Sequence, residues 1–176
     1  MEKRFLMVYD RRQVIKMADF EKLVGLLAER NMTVSAAESC TGGRFAAAIV
    51  DVPDASKVLG YSFVTYSEEA KHELVGVPME TIETFGVVSE EVARAMALGA
   101  AQAGHAQAGV GITGFAGPAG GTEKAPVGTV CFGVCAGDEC RTYTVRYGNI
   151  GRNAVRANAV DFAAEKLTEL LEHDET

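Results

Sequence analysis

The sequence predicts an α/β protein, a single three-layer α/β/α domain around a mixed, mostly parallel sheet. Segments with the β-branched content of strands alternate along the chain with segments of helical period, which is typical of a sheet covered by helices. Near the carboxyl end, two strand-like segments follow each other across the turn Ala136-Gly137-Asp138, so at least one pair of strands must be antiparallel. The 176 residues suit one domain, which we place at 19–173 after an extension at 1–18 of unclear structure.

In the first half of the chain, two N-cap residues mark helix starts. Asp19 precedes a segment with an apolar face, and Ser67 precedes a short, charged segment. In chain order, the elements predicted are a helix at 20–31, a strand at 33–37, a helix at 44–50, a strand at 57–66 and a helix at 68–74.

The second half begins with a turn of helix after Pro78 and an alanine-rich helix capped by Ser89 that ends at Gly104. The elements that follow are a strand at 108–113, a glycine-dense loop at 114–126, strands at 127–135 and 139–147, and a helix at 152–171.

Composition and charge limit the classes of partner. The chain has 17 basic and 24 acidic residues, whereas a DNA or RNA surface needs clustered Lys and Arg. Trp is absent and aromatic residues make up 7%, which leaves little surface to stack on single-stranded bases. No apolar segment approaches the ~20 residues of a membrane span, and the apolar stretch from Phe5 to Tyr9 is too short for a signal peptide. We therefore expect a cytoplasmic protein that binds neither nucleic acid nor membrane.

The cysteines are expected to be reduced thiols, as is usual in the cytoplasm. There are 4 of them, at Cys40, Cys131, Cys135 and Cys140. Their spacing lacks the paired C-x-x-C arrangement of a zinc site, and no histidine lies close in sequence. Small buried side chains are the simpler interpretation, and we expect neither a metal nor a cofactor.

Ser39 is the first candidate for chemistry, because it lies between a predicted strand and a predicted helix and is followed by Thr41-Gly42-Gly43. A hydroxyl there lies beside helix N–H groups, which favour negative charge and can hold a developing oxyanion. Serine also caps helices for purely structural reasons, and that alternative stays open.

A nucleophilic serine needs a base, and the 3 histidines all lie on predicted helices or in the tail. Lysine bases replace histidine in some serine enzymes, and burial lowers the pKa of a lysine as that role requires. Lys71 follows the predicted strand at 57–66, and Tyr66 ends that strand within reach of Lys71 or a substrate. The alternative for Lys71 is an exposed helix residue paired with Glu68.

Two further features suit a ligand. The loop from Gly111 to Thr122 is rich enough in glycine for backbone N–H groups to approach an anion, although it lacks the helix that a dinucleotide fingerprint requires, and a flexible connector is the alternative. Arg152 and Arg156 share a face at the start of the last helix, where cations oppose the helix dipole. A bound anion would explain them, and a salt bridge to an acidic residue is the alternative.

Taken in order, these segments resemble the C-terminal domain of the competence/damage-inducible protein CinA over about 19–171. The motifs that carry the resemblance are Ala37–Gly43 (A-E-S-C-T-G-G), Tyr66–Lys71 (Y-S-E-E-A-K), Val87–Val92 (V-V-S-E-E-V), Gly111–Gly121 (G-I-T-G-F-A-G-P-A-G-G) and the closing G-x-R-x-x-x-R region with its two arginines. Three departures from the family pattern are Glu68 in place of Asn, Phe115 in place of a smaller aliphatic residue, and a changed spacing at Ala125. The length leaves no room for the amino-terminal domain of longer members, so the resemblance is to the stand-alone form.

The resemblance implies a nicotinamide-nucleotide amidohydrolase, which converts nicotinamide mononucleotide and water to nicotinic acid mononucleotide and ammonia. It implies Ser39 as nucleophile, Lys71 as its base and Tyr66 as an assisting residue. The residues that it implies for substrate binding are Thr41, Gly42, Gly43, Thr113, Gly114, Gly117, Gly120, Gly121 and an arginine, Arg152 or Arg156, for the phosphate.

The resemblance also implies a homo-oligomer, a dimer or higher, whose ligand is a small nucleotide. Two other functions remain open on the sequence: a non-catalytic module that binds pyridine nucleotides, and a serine amidase for another small amide.

Overall fold

The computed structural model describes residues 3–8 and 18–173. Its strands are β1 (Lys3–Val8), β2 (Val34–Glu38), β3 (Phe63–Val64), β4 (Ala108–Gly114), β5 (Thr129–Ala136) and β6 (Glu139–Arg146). Its α-helices are α1 (Phe20–Glu29), α2 (Arg44–Val50), α3 (Glu68–Val75), α4 (Met79–Phe85), α5 (Glu90–Ala103) and α6 (Arg152–His173). Asp19, Ser67 and Ser89 cap α1, α3 and α5 through their side chains, as the sequence predicts.

The strands form one sheet of mixed direction in the order β1-β6-β5-β4-β2-β3. The pairs β1/β6, β2/β4 and β2/β3 are parallel, whereas β4/β5 and β5/β6 are antiparallel. The antiparallel pairs come from the predicted hairpin and from its docking beside β4. The prediction of a mixed, mostly parallel sheet is confirmed.

Helices cover both faces of the sheet, which confirms the three-layer arrangement. On one face, α5 packs on β2, β4 and β5, and α3 and α4 pack against α5. On the other face, α6 packs on β4 and β5, and α1 and α2 pack against α6. Each face has its own apolar core, with Met96 and Ile82 on the α5 side and Phe45 and Leu167 on the α6 side.

Close packing of α5 on the sheet depends on a glycine in β4. A Cβ atom on Gly111 would lie 2.1 Å from the carbonyl oxygen of Ala93 in α5, which is closer than atoms can pack. The glycine therefore lets the helix backbone approach the strand directly, and this fixes the amino end of α5 beside the carboxyl end of β4.

The strand predicted at 57–66 was largely wrong. A 3₁₀ turn at Ala55–Lys57 comes first, Leu59 makes an isolated bridge to Val34, and the strand itself is only Phe63–Val64. The segment runs along the edge of the sheet, where Val58 is buried but Tyr61 is exposed, so its β-branched and aromatic residues do not all belong to one ladder. At the edge opposite β3, part of the extension at 1–18 forms β1, and residues 9–17 lie outside the described residues.

The expectation of four reduced cysteines was wrong for one pair. Cys135 in β5 lies directly opposite Cys140 in β6, next to the hairpin turn, and their sulfur atoms are bonded at 2.07 Å. Directly opposed residues of an antiparallel pair have side chains on the same face, so the hairpin brings the two thiols together. Cys40 and Cys131 are free and buried.

Two negative findings apply to the described part of the chain. None of its helices is both long and apolar enough to cross a lipid bilayer. It also contains no cluster of three or more His, Cys, Asp and Glu side chains arranged to hold a metal ion.

Candidate active site

A cleft of about 210 Å³ opens where the parallel strands β2, β3 and β4 end. Ligands of open α/β sheets bind outside the carboxyl ends of such strands. The residues that line the cleft are Ser39, Cys40, Tyr66, Lys71, Val87, Val88, Thr113, Gly114, Phe115, Ala116, Gly117, Ala119 and Arg152. They come from the ends of the three strands, from α3, from the segment before α5, from the glycine-rich loop and from the start of α6.

Ser39 is fixed by the sheet through its backbone. Its N–H donates to the carbonyl oxygen of Ile112 at 2.9 Å, and its own carbonyl accepts from the N–H of Gly42 at 3.1 Å. The side chain is only 8% exposed. It does not cap α2, because the N-cap is Gly43, which makes no side-chain cap hydrogen bond. The structural alternative for Ser39 as a helix cap therefore does not hold.

The carboxylate of Glu38 caps α2 instead. It is fully buried and accepts hydrogen bonds from the N–H groups of Gly43, Phe45 and Ala46 at 3.0–3.1 Å. A negative charge at this position complements the helix dipole. Three N–H groups at the start of α2, where the sequence predicts donors for a ligand beside Ser39, are thus already occupied.

Lys71 is fully buried in α3, and its Nζ atom lies 3.3 Å from Ser39 Oγ. The same nitrogen donates to the carbonyl oxygens of Thr65 at 2.9 Å and Ser67 at 3.4 Å. The alternative of an exposed lysine paired with Glu68 was wrong. Burial lowers the pKa of Lys71 below its ordinary value, while the charge of Glu68 raises it in part.

Arg152 spans the cleft between Tyr66 and the glycine-rich loop. Its Nη2 donates to the hydroxyl oxygen of Tyr66 at 3.1 Å, and its Nη1 donates to the carbonyl oxygen of Gly117 at 2.8 Å. Tyr66 is 63% exposed, so this contact lies at the mouth of the cleft. Among the described residues, no carboxylate pairs with Arg152, and the salt-bridge alternative finds no support there.

The glycine-rich loop follows a defined path. The N–H of Phe115 donates to the carbonyl of Thr129 at 2.9 Å, and the N–H of Gly128 donates back to Phe115 at 2.7 Å. Gly117 has a φ of +86°, and a Cβ atom there would lie 2.7 Å from the side chain of Val127. Gly114 and Gly117 reach the cleft, whereas Gly120 and Gly121 lie outside it. The loop is therefore not a flexible connector.

Thr113 ends β4 inside the cleft, with its hydroxyl donating to the carbonyl of Val87 at 2.8 Å. This bond ties the strand to the segment before α5. Thr41 is buried and lies outside the cleft wall, as do Gly42 and Gly43. The substrate contacts predicted for those three residues find no counterpart in the lining.

Arg156 also lies outside the cleft wall, although it shares a helix face with Arg152. Its Nε donates to the carbonyl of Cys40 at 2.9 Å, and its Nη2 donates to that of Thr41 at 3.0 Å. The two arginines are thus held differently, one in the cleft and one behind the loop that carries Ser39.

Three lining residues were not expected at the site from the sequence: Cys40, Val87 and Val88. Phe115, Ala116 and Ala119 belong to the loop from Gly114 to Gly121 that the family resemblance implies for the site. The sequence signal for Val87 and Val88 was their position as an apolar pair directly before Ser89, the N-cap of α5. Cys40 is no rival nucleophile, because burial raises the pKa of its thiol to about 12. The lining contains no acidic side chain, so the guanidinium of Arg152 gives the cleft a positive charge that favours an anionic ligand.

Comparison with known proteins identifies relatives. Residues 17–171 match the family model described as the CinA C-terminal domain. The chain is 46% identical over 140 residues to a protein from Enterobacter agglomerans named nicotinamide-nucleotide amidohydrolase PncC, covering 79% of this chain and 85% of that protein. It is 51% identical over 123 residues to a CinA-like protein from Fervidobacterium nodosum, covering 69% of this chain and 30% of that protein.

Several curated relatives are much longer than the matched region, which spans 25% to 35% of their length. Among solved structures, a CinA superfamily protein from Escherichia coli superposes with a TM-score of 0.84 at 32% identity, covering 93% of this chain and 95% of that one.

Proposed function

This chain belongs to the CinA C-terminal domain family, and from that premise we propose that it hydrolyses the carboxamide of nicotinamide mononucleotide to nicotinic acid mononucleotide and ammonia. The relative from Enterobacter agglomerans carries the name of that activity. The observation that carries the proposal is the buried contact between Lys71 Nζ and Ser39 Oγ at the floor of the cleft.

The contacts of Lys71 accommodate a neutral amine that can act as a base. A neutral amine has two N–H donors and one lone pair. The carbonyl oxygens of Thr65 and Ser67 can accept both donors, which leaves the lone pair for the hydroxyl of Ser39. Burial lowers the pKa of Lys71 in the same direction. Lys71 therefore acts as general base towards Ser39.

The reaction proceeds through an acyl-enzyme. Ser39 Oγ attacks the carboxamide carbon while its proton passes to Lys71 Nζ. The carbon–nitrogen bond then breaks, and the proton goes from Nζ to the departing nitrogen, which leaves as ammonia. Water attacks the resulting ester, gives its proton to Nζ and releases the carboxylic acid, and the serine hydroxyl is restored.

The tetrahedral oxyanion requires donors other than the first N–H groups of α2. Glu38 occupies the N–H of Gly43, and the N–H of Gly42 donates to Ser39. The N–H of Cys40, which lines the cleft next to Ser39, has no acceptor in another described residue, so it is our candidate for the oxyanion site.

Arg152 is the residue that we assign to the substrate phosphate. Its guanidinium lies at the cleft mouth, where it contacts Tyr66 and the Gly117 carbonyl. Both contacts are neutral, so a phosphate would be a stronger partner for the cation. The apolar side chains of Val87, Val88 and Phe115 give the pyridine ring a wall inside the cleft.

Two expectations accompany the proposal: the enzyme acts in the cytoplasm, and it forms a homo-oligomer of at least two chains. The expectation of a homo-oligomer comes from the family resemblance. Light scattering on the purified protein tests the second.

One coupled ammonia assay across nicotinamide mononucleotide, nicotinamide riboside and nicotinamide tests the activity. We expect release from the mononucleotide and at least a thousandfold loss, roughly, in Ser39→Ala and Lys71→Ala that fold normally. Ammonia from another amide only would make the chain a different amidase. Tight nucleotide binding without ammonia would make it a binding module.

A further inference from the structure

The segment from Ser39 to Gly43 is held by hydrogen bonds at both ends. At its start, the N–H of Ser39 joins the carbonyl of Ile112 and so continues the β2/β4 ladder. At its end, the carboxylate of Glu38 holds the N–H of Gly43. The backbone between these anchors forms a turn, in which the N–H of Gly42 donates to the carbonyl of Ser39 at 3.1 Å and the carbonyls of Cys40 and Thr41 accept from α6.

The planar guanidinium of Arg156 donates hydrogen bonds to both of these carbonyl oxygens. Its Nε and Nη2 donate to Cys40 and Thr41 at 2.9 and 3.0 Å, and its Nη1 donates to Asn153 Oδ1 at 3.3 Å. A Cβ atom on Gly42 would lie 3.4 Å from Nη2, so the guanidinium packs directly over the turn. These bonds join α6 to residues 115 and 116 positions away in the sequence.

A peptide group is planar, and its N–H points opposite to its C=O. Holding the carbonyls of Cys40 and Thr41 therefore fixes the two peptide planes that follow Cys40, and with them the N–H of Gly42, which donates to the carbonyl of Ser39 at 3.1 Å. The same bonds fix the backbone that carries Ser39 relative to Lys71. All three nitrogens of the Arg156 guanidinium already donate to protein acceptors, unlike a group reserved for a ligand.

We propose that Arg156 is a positioning residue for the nucleophile, and that it does not bind the substrate phosphate. This inference rests on the proposed function, because it concerns the same serine. It assigns the two arginines of one helix face different tasks: Arg152 binds the anion, and Arg156 holds the turn after Ser39 in its reactive geometry.

The test measures Ser39 reactivity without the nucleotide. A small sulfonyl fluoride labels an activated serine, and peptide mapping identifies the site. We expect Arg156→Gln to slow labelling of Ser39 by about tenfold or more and to lower kcat similarly, with KM for the mononucleotide within about threefold. Arg156→Lys, which keeps the charge but loses the planar fork, should recover only part of the rate.

Two arginines serve as comparisons. Arg152→Gln should raise KM and leave the labelling rate near that of the unmodified protein. Arg146→Gln removes another arginine-to-carbonyl bond, to Lys124 at 3.3 Å outside the cleft, and should change neither quantity. Thermal melting checks each variant, and if Arg156→Gln does not fold, Arg156→Lys decides by the same criteria.

Labelling of Arg156→Gln at the unmodified rate would overturn the inference, and so would a raised KM at unchanged kcat. A wild-type protein whose Ser39 is not labelled would also overturn it. The same experiments distinguish a failure of the proposed function. If Ser39 is labelled but no ammonia is released from the mononucleotide, the proposed substrate is wrong, and the labelling rates of the Arg156 variants still test the positioning role.

Discussion

The amine of Lys71 lies 3.3 Å from the hydroxyl oxygen of Ser39, and neither side chain is more than 8% exposed. A charged ammonium in that position would give up hydration without gaining a carboxylate partner, which is why burial lowers the pKa of Lys71. Burial of Lys71 beside Ser39 therefore favours the neutral amine over the ammonium.

The reaction rate should rise with pH, as expected for a general base that must be deprotonated. Because only the neutral amine accepts a proton, kcat/KM should rise with pH through the pKa of Lys71, at a pH below its ordinary value of 10.5. Steady-state kinetics across the pH range provide the measurement. A rate that falls over that range while the fold persists would contradict a lysine base.

Glu68 should tune this profile from outside the cleft. Its charge raises the pKa of Lys71, so Glu68→Gln should move the rising limb to lower pH. Glu69→Gln is the matched control, because Glu69 occupies the same first turn of α3 but is not among the charges that act on Lys71. Equal shifts in both variants would mean that the effect is general surface charge.

Lys71 should also make folding stability depend on pH. Its pKa is lower in the folded chain than in the unfolded chain, so the unfolded chain binds more protons between the two values. The free energy of unfolding should therefore rise with pH from the folded-state pKa up to 10.5. Urea titrations of the unmodified protein and Lys71→Met check this, since the variant should lack that rise.

Glu38 should matter for the stability of α2. Glu38→Ala leaves three N–H groups at the helix start without their acceptor, and we expect a loss of about 2–4 kcal/mol in the free energy of unfolding. Asp19→Ala, which removes the exposed cap of α1, should cost about 1 kcal/mol or less. Urea denaturation at one pH compares them, and equal losses would contradict the assigned role of Glu38.

The two free thiols should be unreactive in the folded protein. Burial raises the pKa of Cys40 to about 12 and that of Cys131 to about 11, so little thiolate forms near neutral pH. Iodoacetamide should modify both only after denaturation, as judged by peptide mapping. Rapid modification of native Cys40 would show that the cleft floor is open to reagents and that the surroundings of Lys71 are wetter than described.

The sequence predicts the parts of the site that local patterns encode. Ser39 follows a strand and Lys71 follows a cap, so both could be placed at the carboxyl edge of a sheet. The burial of Lys71 could not be predicted, because it depends on α3 packing against α5 through side chains such as Val75 and Met96. The capping of α2 by Glu38 could not be predicted for a similar reason. Glu38 ends a strand, and its carboxylate lies beside the first turn of α2 only because the chain turns between them.

Edge position explains one of the remaining errors, and hairpin register explains the other. The segment 57–66 has strand composition, yet only two of its residues pair in the sheet as β3, because the chain runs along the edge. The bonded pair Cys135 and Cys140 depends on the register of a hairpin, which spacing alone does not give.

The most direct test of a serine nucleophile with a lysine base is to trap the intermediate. The protein is mixed with nicotinamide mononucleotide, quenched in acid within the first turnover and mapped by mass spectrometry. We predict an adduct of the nucleotide minus ammonia on Ser39, absent from Lys71→Ala. An adduct on another residue, or ammonia release that persists in Ser39→Ala, would contradict the account.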